Sequence, residues 1–109
     1  MPARKKFRIV GINFDFRHMD HLLKCAHCER NAEIVGISHH DPHEMQDVIK
    51  GCAIPADRVF TDWQACLEQT KPDVVITCPA SGAHAEWVER IAPYGVDVLI
   101  PVVYDREAE

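Results

Sequence analysis

Residues 7–23, FRIVGINFDFRHMDHLL, determine how the rest of the chain folds. Their first part, Phe7 to Ile12, is a short apolar run that predicts a buried strand, and residues 13–16 form a polar and aromatic turn after it. The helix predicted next carries apolar side chains at the i, i+3, i+4, i+7 spacing of a buried face, at Met19, Leu22, Leu23 and Ala26. A buried strand that leads directly into a helix is the first half of a βαβ unit, and open parallel sheets bind ligands at the carboxyl ends of such strands.

The alternation of strand and helix continues along the chain. Apolar runs predict four more strands, over residues 33–38, 58–60, 73–78 and 96–103. Helical stripes between them predict three more helices, with Met45, Val48, Ile49 and Cys52, then Trp63, Cys66, Leu67 and Thr70, then Ala85, Val88, Ile91 and Ala92 as their inward faces. This order predicts an α/β fold, a Rossmann-like doubly wound parallel sheet of about five strands with helices on both faces. We expect residues 1–109 to form a single three-layer domain.

Polar residues mark the predicted starts of three helices. Asp41 stands before Pro42, and proline is favoured at the first position of a helix. Residues 61–64, TDWQ, match the S/T-x-x-E/Q capping box, which makes Thr61 the cap of the third helix. Ser81 is placed to cap the fourth helix.

The charge and the composition exclude several classes of partner. The net charge of −5 argues against nucleic acid and anionic membranes, because both select a basic face. No apolar run approaches the ~20 residues of a membrane span, and no signal-peptide core is present, so we expect a cytoplasmic protein.

The five cysteines are not expected to form a disulfide framework, because their number is odd and they are scattered along the chain. We interpret the cysteines as small, buried or half-buried apolar side chains. Cys25 and Cys28 form a C-x-x-C pair, but they lie late in the first helix, where the helix dipole does not favour a redox pair.

The first strand–helix turn is the place of the dinucleotide fingerprint G-x-G-x-x-G. Laid over residues 11–16, GINFDF, the pattern keeps only Gly11. Asn13 replaces the second glycine and tolerates left-handed backbone better than most residues, whereas Phe16 is bulky at the third position and Asp15 places a negative charge near the phosphates. A plain βα turn without a ligand is the alternative interpretation.

The residue that follows the second strand ordinarily contacts the ribose of a dinucleotide. That position is taken by His39, followed by His40, and an imidazole here slightly favours NADP over NAD. The alternative is that both histidines cap a strand end at the surface. A metal site shared by the residues at 39–43 and the pair His18 and His21 is also conceivable, but their spacing is weak for a metal and we expect none.

Four segments carry a resemblance to a known family: RIVGI (8–12), AEIVGISHHDP (32–42), PADRVFTDWQACLEQTKPDVVITCP (55–79) and HAEWVERIAPYGVDVLI (84–100). Over roughly residues 7–100 the chain resembles the N-terminal domain of the glucose-fructose oxidoreductase, inositol dehydrogenase and MocA (Gfo/Idh/MocA) family of NAD(P)-dependent oxidoreductases. The resemblance implies that NAD or NADP binds with its nicotinamide half past Cys78 and Pro79, towards His84. The full set of expected cofactor-binding residues is Gly11, Ile12, Asn13, Phe14, Asp15, Phe16, His39, His40, Cys78, Pro79 and His84.

The family reaction is hydride transfer between a nicotinamide cofactor and a hydroxyl of a sugar or polyol. The family's Glu-Lys-Pro motif after the fifth strand is replaced here by residues 101–103, PVV, and the C-terminal substrate domain of the family is absent from this sequence. We therefore expect an NAD(P)-binding domain that is inactive alone, and we assign no catalytic residue. A non-catalytic Rossmann scaffold or assembly module is the alternative, and the apolar fifth strand, 97–103, predicts self-association or a partner chain at its edge.

Overall fold

The computed structural model describes residues 7–14, 18–78 and 83–100, without the side chains of His18 and His84. Its strands are β1 (Phe7–Phe14), β2 (Ala32–Ser38), β3 (Val59–Phe60), β4 (Val74–Cys78) and β5 (Asp97–Leu99). Its α-helices are α1 (His18–His27), α2 (Gln46–Gly51), α3 (Trp63–Thr70) and α4 (His84–Ile91). Short 3₁₀ turns at Pro42–Met45, Ala56–Arg58 and Ala92–Tyr94 complete the order, which confirms the predicted alternation.

The five strands form one parallel sheet in the order β3-β2-β1-β4-β5. β1 is the central strand, and its Ile9 is paired with Ile34 of β2 on one side and with Val74 of β4 on the other. The chain winds outward from β1 through β2 to β3, then returns to the other side of β1 for β4 and β5. This arrangement is the doubly wound sheet that the sequence predicts.

Two apolar cores lie on opposite faces of the sheet, which confirms the three layers. Alternate residues of a strand point to opposite faces, so Val10 and Ile12 enter one core while Ile9 packs against the other. In β2, Ile34 and Ile37 enter the same core although they are three residues apart, because the register between β1 and β2 shifts between them. The core beneath α1 and α2 includes the fully buried helix residues Met19, Leu23, Met45 and Val48. The core beneath α3 and α4 includes Cys66, Leu67 and Ile91.

Gly11 lies within β1 and faces the buried side chains of Met19 and Leu23 on α1. A Cβ atom on Gly11 would lie 3.0 Å from Cδ1 of Leu23 and 3.2 Å from Sδ of Met19. Both of these side chains are fully buried, so neither has open space into which it can move. The missing side chain of Gly11 therefore sets the distance between α1 and the central strand.

The helix start predicted within residues 61–64 is confirmed, but its cap is one residue later than the capping-box pattern implies. Asp62, not Thr61, caps α3, because Asp62 has the extended backbone of a cap and its carboxylate accepts a hydrogen bond from the Gln64 N–H at 3.0 Å. α4 begins at His84 after Ala83, which makes no side-chain cap bond, and the predicted cap residue Ser81 lies outside the described residues. By contrast, Asp41 accepts from the His43 N–H and starts the 3₁₀ turn at Pro42 as predicted.

The predicted inward face of α4 is wrong in part. Ile91 is buried, but Ala85 and Ala92 are exposed. Trp87 packs against the core instead and meets the ring of Trp63 edge-on, with the ring centres 5.5 Å apart. The larger apolar area of the tryptophan decides which side of the helix turns inward.

The interpretation of the cysteines holds for three of the five. Cys52, Cys66 and Cys78 are buried, and all five thiols are free. Cys25 and Cys28 are exposed, because one lies in the last turn of α1 and the other beyond its end, away from the buried Met19 and Leu23. Among the described residues, no helix is long and apolar enough to cross a membrane.

Candidate functional site

The carboxyl ends of β2, β1 and β4 lie side by side at one edge of the sheet. The winding reverses between β1 and β4, so the crevice above these two strands is a topological switch point. Open α/β sheets bind their ligands at such a point, because the loops that leave the two strands diverge to opposite faces. The candidate site is therefore the edge formed by the last residues of β1, β2 and β4.

Asn13 turns the backbone at the end of β1. It has a left-handed conformation, with φ of 71°, and the pairing of β1 with β4 skips it, because Ile12 pairs with Thr77 and Phe14 with Cys78. Its side-chain Nδ2 donates to Oγ1 of Thr77 at 3.4 Å, and both residues are buried. The expected tolerance of Asn13 for left-handed backbone is confirmed, at the position of the second fingerprint glycine.

His39 joins the carboxyl ends of three strands. It follows β2 directly, and its backbone N–H donates to the carbonyl of Phe60 at the end of β3, at 3.2 Å. Its ring Nδ1 accepts a hydrogen bond from the backbone N–H of Phe14 at 3.0 Å. Since His39 is only 3% exposed, the alternative in which it caps a strand end at the surface is wrong for this residue.

His40 differs from its neighbour in being exposed. Its ring lies against that of His39, with the ring centres 4.3 Å apart and the planes tilted by 45°. Of the two imidazoles, the one of His40 is accessible to a ligand at this edge of the sheet.

The other expected site residues are divided between the edge and the core. Phe14 and Cys78 lie at the edge, and both are buried beneath α1. Gly11 lies inside β1 rather than in the turn, and the side chain of Ile12 points into the core beneath α3 and α4. Asp15, Phe16 and Pro79 lie outside the described residues, as does the side chain of His84, the first residue of α4.

Two polar residues near this edge are not among those predicted from the sequence. Thr77 is fully buried and receives the hydrogen bond from Asn13, and Ser38, the last residue of β2, is also buried. The detectable signal was a hydroxyl side chain near the end of an otherwise apolar strand, in VVITC and in EIVGIS. Within the part of the chain that the structure describes, no group of three or more His, Cys, Asp or Glu residues is arranged to hold a metal ion.

A comparison with known protein families identifies the family of this chain. Residues 5–103 match the model of the GFO_IDH_MocA family, described as an oxidoreductase family with an NAD-binding Rossmann fold. The chain belongs to this family. The family and its nicotinamide cofactor are therefore those that the resemblance implied. No curated protein matches the chain at a significant level.

Several solved structures share the fold. Apo scyllo-inositol dehydrogenase from Lactobacillus casei superposes with a TM-score of 0.74 at 21% identity, covering 98% of this chain and 32% of that one. The WlbA dehydrogenase from Bordetella pertussis, in complex with NADH and UDP-GlcNAcA, gives 0.72 at 22% identity over 88% of this chain and 29% of that one. KijD10, a 3-ketoreductase from Actinomadura kijaniata in complex with NADP, gives 0.73 at 22% identity over 94% and 33%. The chain thus spans about a third of the length of these proteins.

Proposed function

We propose that this domain binds a nicotinamide dinucleotide across the carboxyl ends of β2, β1 and β4. The adenosine half lies towards His40, the pyrophosphate lies at the turn between β1 and α1, and the nicotinamide half extends past Cys78 towards the start of α4. The family match supports the class of ligand, and the switch point beside β1 supports the place. The observation that carries the proposal is the left-handed Asn13, which has, at the position of the second fingerprint glycine, a backbone conformation that glycine adopts readily.

Binding is expected to be weak. Two of the three fingerprint glycines are replaced, and Asp15 carries a negative charge in the segment that meets the phosphates. The N–H of Phe14 already donates to His39, so it is not available to the pyrophosphate while this bond is made. The dipole at the start of α1 then stabilises the phosphates. We expect an affinity in the high-micromolar range or weaker, about −5 to −6 kcal/mol.

Calorimetry with NAD and NADP tests this proposal. Replacing Asp15 by Asn removes the repulsion between its carboxylate and the phosphates, which in water is worth on the order of 1 kcal/mol for charges ~4 Å apart. Both cofactors should therefore bind about fivefold more tightly to Asp15→Asn than to the unmodified chain. The affinity for NADP should rise by at least as large a factor as the affinity for NAD, because NADP carries the larger negative charge.

Asp57→Asn is the matched control. It makes the same change of charge at an exposed residue of the 3₁₀ turn that precedes β3, at the opposite edge of the sheet. Its affinity for both cofactors should equal that of the unmodified chain. An absence of heat with either cofactor in every protein would refute nucleotide binding and favour a bare scaffold.

The reaction we propose for the family member to which this domain belongs is hydride transfer between the nicotinamide and a hydroxyl of a sugar or polyol. The 109-residue chain alone should not catalyse it, because general acid–base catalysis is worth about 10²–10⁴-fold and the family's lysine is replaced in residues 101–103. Absorbance at 340 nm should stay constant when the chain is mixed with NAD or NADP and inositol or glucose. Steady reduction of either cofactor would contradict this expectation.

We also propose that the domain associates with a second chain along β5. Among the strands that the structure describes, β5 is the last of the sheet, beside β4, and Leu99 is 49% exposed on it. An edge strand presents unpaired N–H and C=O groups that pair readily with another strand. We further propose a cytoplasmic location, which is supported by five free thiols, three of them packed in the cores.

A further inference from the structure

The end of β1 is held by side chains from the two strands beside it. On one side, Asn13 donates to Thr77 of β4. On the other, the ring of His39 accepts from the N–H of Phe14. The ladder between β1 and β2 ends at Ile12 and Ser38, so the imidazole supplies the acceptor that a further carbonyl of β2 would otherwise supply.

The hydrogen bond to Phe14 fixes the state of the imidazole. A backbone N–H can donate to Nδ1 only when that nitrogen carries no proton, so the ring is the neutral tautomer with its proton on Nε2. The bond also points the ring at β1, and the ring meets that of Phe14 at 67° with the centres 6.0 Å apart. Nδ1 of His39 is therefore occupied by the protein itself.

We propose that His39 is a positioning residue of the nucleotide site, one that acts through Phe14 and makes no contact with the ribose. Its ring is bonded to the end of β1 and its backbone N–H to the end of β3, while the residue itself directly follows β2. These bonds fix the position at which the chain leaves β1 towards α1. In the glycine-rich fingerprint the backbone alone shapes this turn, whereas here Asn13 and Phe14 are each held by a neighbouring strand. The proposal rests on the proposed binding of a nicotinamide dinucleotide.

Two substitutions of His39 separate positioning from ribose contact. Asn places its Oδ1 close to the position of Nδ1, so His39→Asn should preserve the bond to Phe14. Gln extends its acceptor further from the backbone, so His39→Gln should lose that bond. His40→Asn is the control, because His40 is the exposed neighbour and makes no hydrogen bond to Phe14 among the contacts described.

Nuclear magnetic resonance detects the hydrogen bond between His39 and Phe14 directly, in the absence of nucleotide. In the unmodified chain the ¹⁵N shifts of His39 should show the proton on Nε2, and the Phe14 amide should exchange slowly with solvent. Exchange at Phe14 should be at least tenfold faster in His39→Gln and within about threefold of the original in His39→Asn and His40→Asn. A proton on Nδ1, or unchanged exchange in His39→Gln, would overturn the proposal.

Calorimetry then tests the consequence for binding. A positioning residue acts on the turn that meets the pyrophosphate, which NAD and NADP share. His39→Gln should therefore lower the affinities for NAD and NADP by the same factor, about tenfold. The affinities of His39→Asn should be close to those of the unmodified chain. A change in the ratio of the two affinities would overturn the proposal, because it would mean that His39 senses the ribose. Failure of all proteins to bind would refute the proposed function, while the exchange of the Phe14 amide would still confirm or refute the role of His39 at the end of β1.

Discussion

Replacing Gly11 by Ala tests whether the close packing of α1 on β1 requires a residue without a side chain at this position. The new Cβ would meet Leu23 at 3.0 Å and Met19 at 3.2 Å, both inside the core. Overpacking of this kind costs about 1–3 kcal/mol. Alanine also restricts the unfolded chain more than glycine does. This effect favours the folded state and offsets about 0.4–1 kcal/mol of that cost. The free energy of unfolding should therefore fall by about 1–2 kcal/mol.

Urea unfolding followed by circular dichroism measures this loss, and the thermal midpoint should fall by roughly 5–10 °C. Gly51→Ala is the control at the end of α2. Its new Cβ would approach Cε of Lys24 at 2.8 Å, but that atom is the far end of an exposed, flexible side chain, and alanine is the better helix residue. This variant should be at least as stable as the unmodified chain. Equal stability of Gly11→Ala and Gly51→Ala would refute the reasoning.

Further substitutions and a labelling experiment test the cap of α3, the thiols and the sheet edge. Asp62→Ala should lower the free energy of unfolding by about 1 kcal/mol through loss of the cap, whereas Thr61→Ala should leave it unchanged; equal losses in urea unfolding would contradict this. A thiol reagent at pH 8 should label Cys25 and Cys28 in the folded chain and spare Cys66, because burial raises the pKa of Cys66 to about 12 and the thiolate is the reactive form; mass spectrometry locates the label, and rapid labelling of Cys66 would contradict the burial. Sedimentation should show dimers or larger species at high concentration, and a strict monomer would refute association along β5.

The order of strands and helices could be predicted because each apolar run and each helical stripe is local in the sequence. Met19 and Leu23 reach the core as their spacing indicates, and the left-handed Asn13 follows from a property of the residue itself. The start of α3 could not be predicted to the residue. Thr61 and Asp62 both have side chains that cap helices, and the path of the chain after β3 decides between them.

The candidate site was predicted less completely, because its contacts join residues that are distant in the sequence. The bond between Phe14 and His39 spans 25 residues, and the bond between Asn13 and Thr77 spans 64. The histidines after β2 were predicted from the ribose position of the fingerprint, yet the sequence contains no sign that one ring turns towards β1 and the other towards solvent. That division depends on β1 and β2 being neighbours in the sheet.

The central place of β1 has a consequence for how the protein is made. Of the five described strands, β1 leaves the ribosome before the others, and its Ile9 pairs with Ile34 soon afterwards, but its second partner, Val74, lies forty residues further along the chain. At about 5–20 residues per second, synthesis of that interval takes roughly 2–8 s. Throughout this time one side of the most central strand has unpaired backbone groups, which attract other nascent chains. The strand that is translated first is thus completed late, and chaperones that bind extended apolar segments have those seconds in which to act.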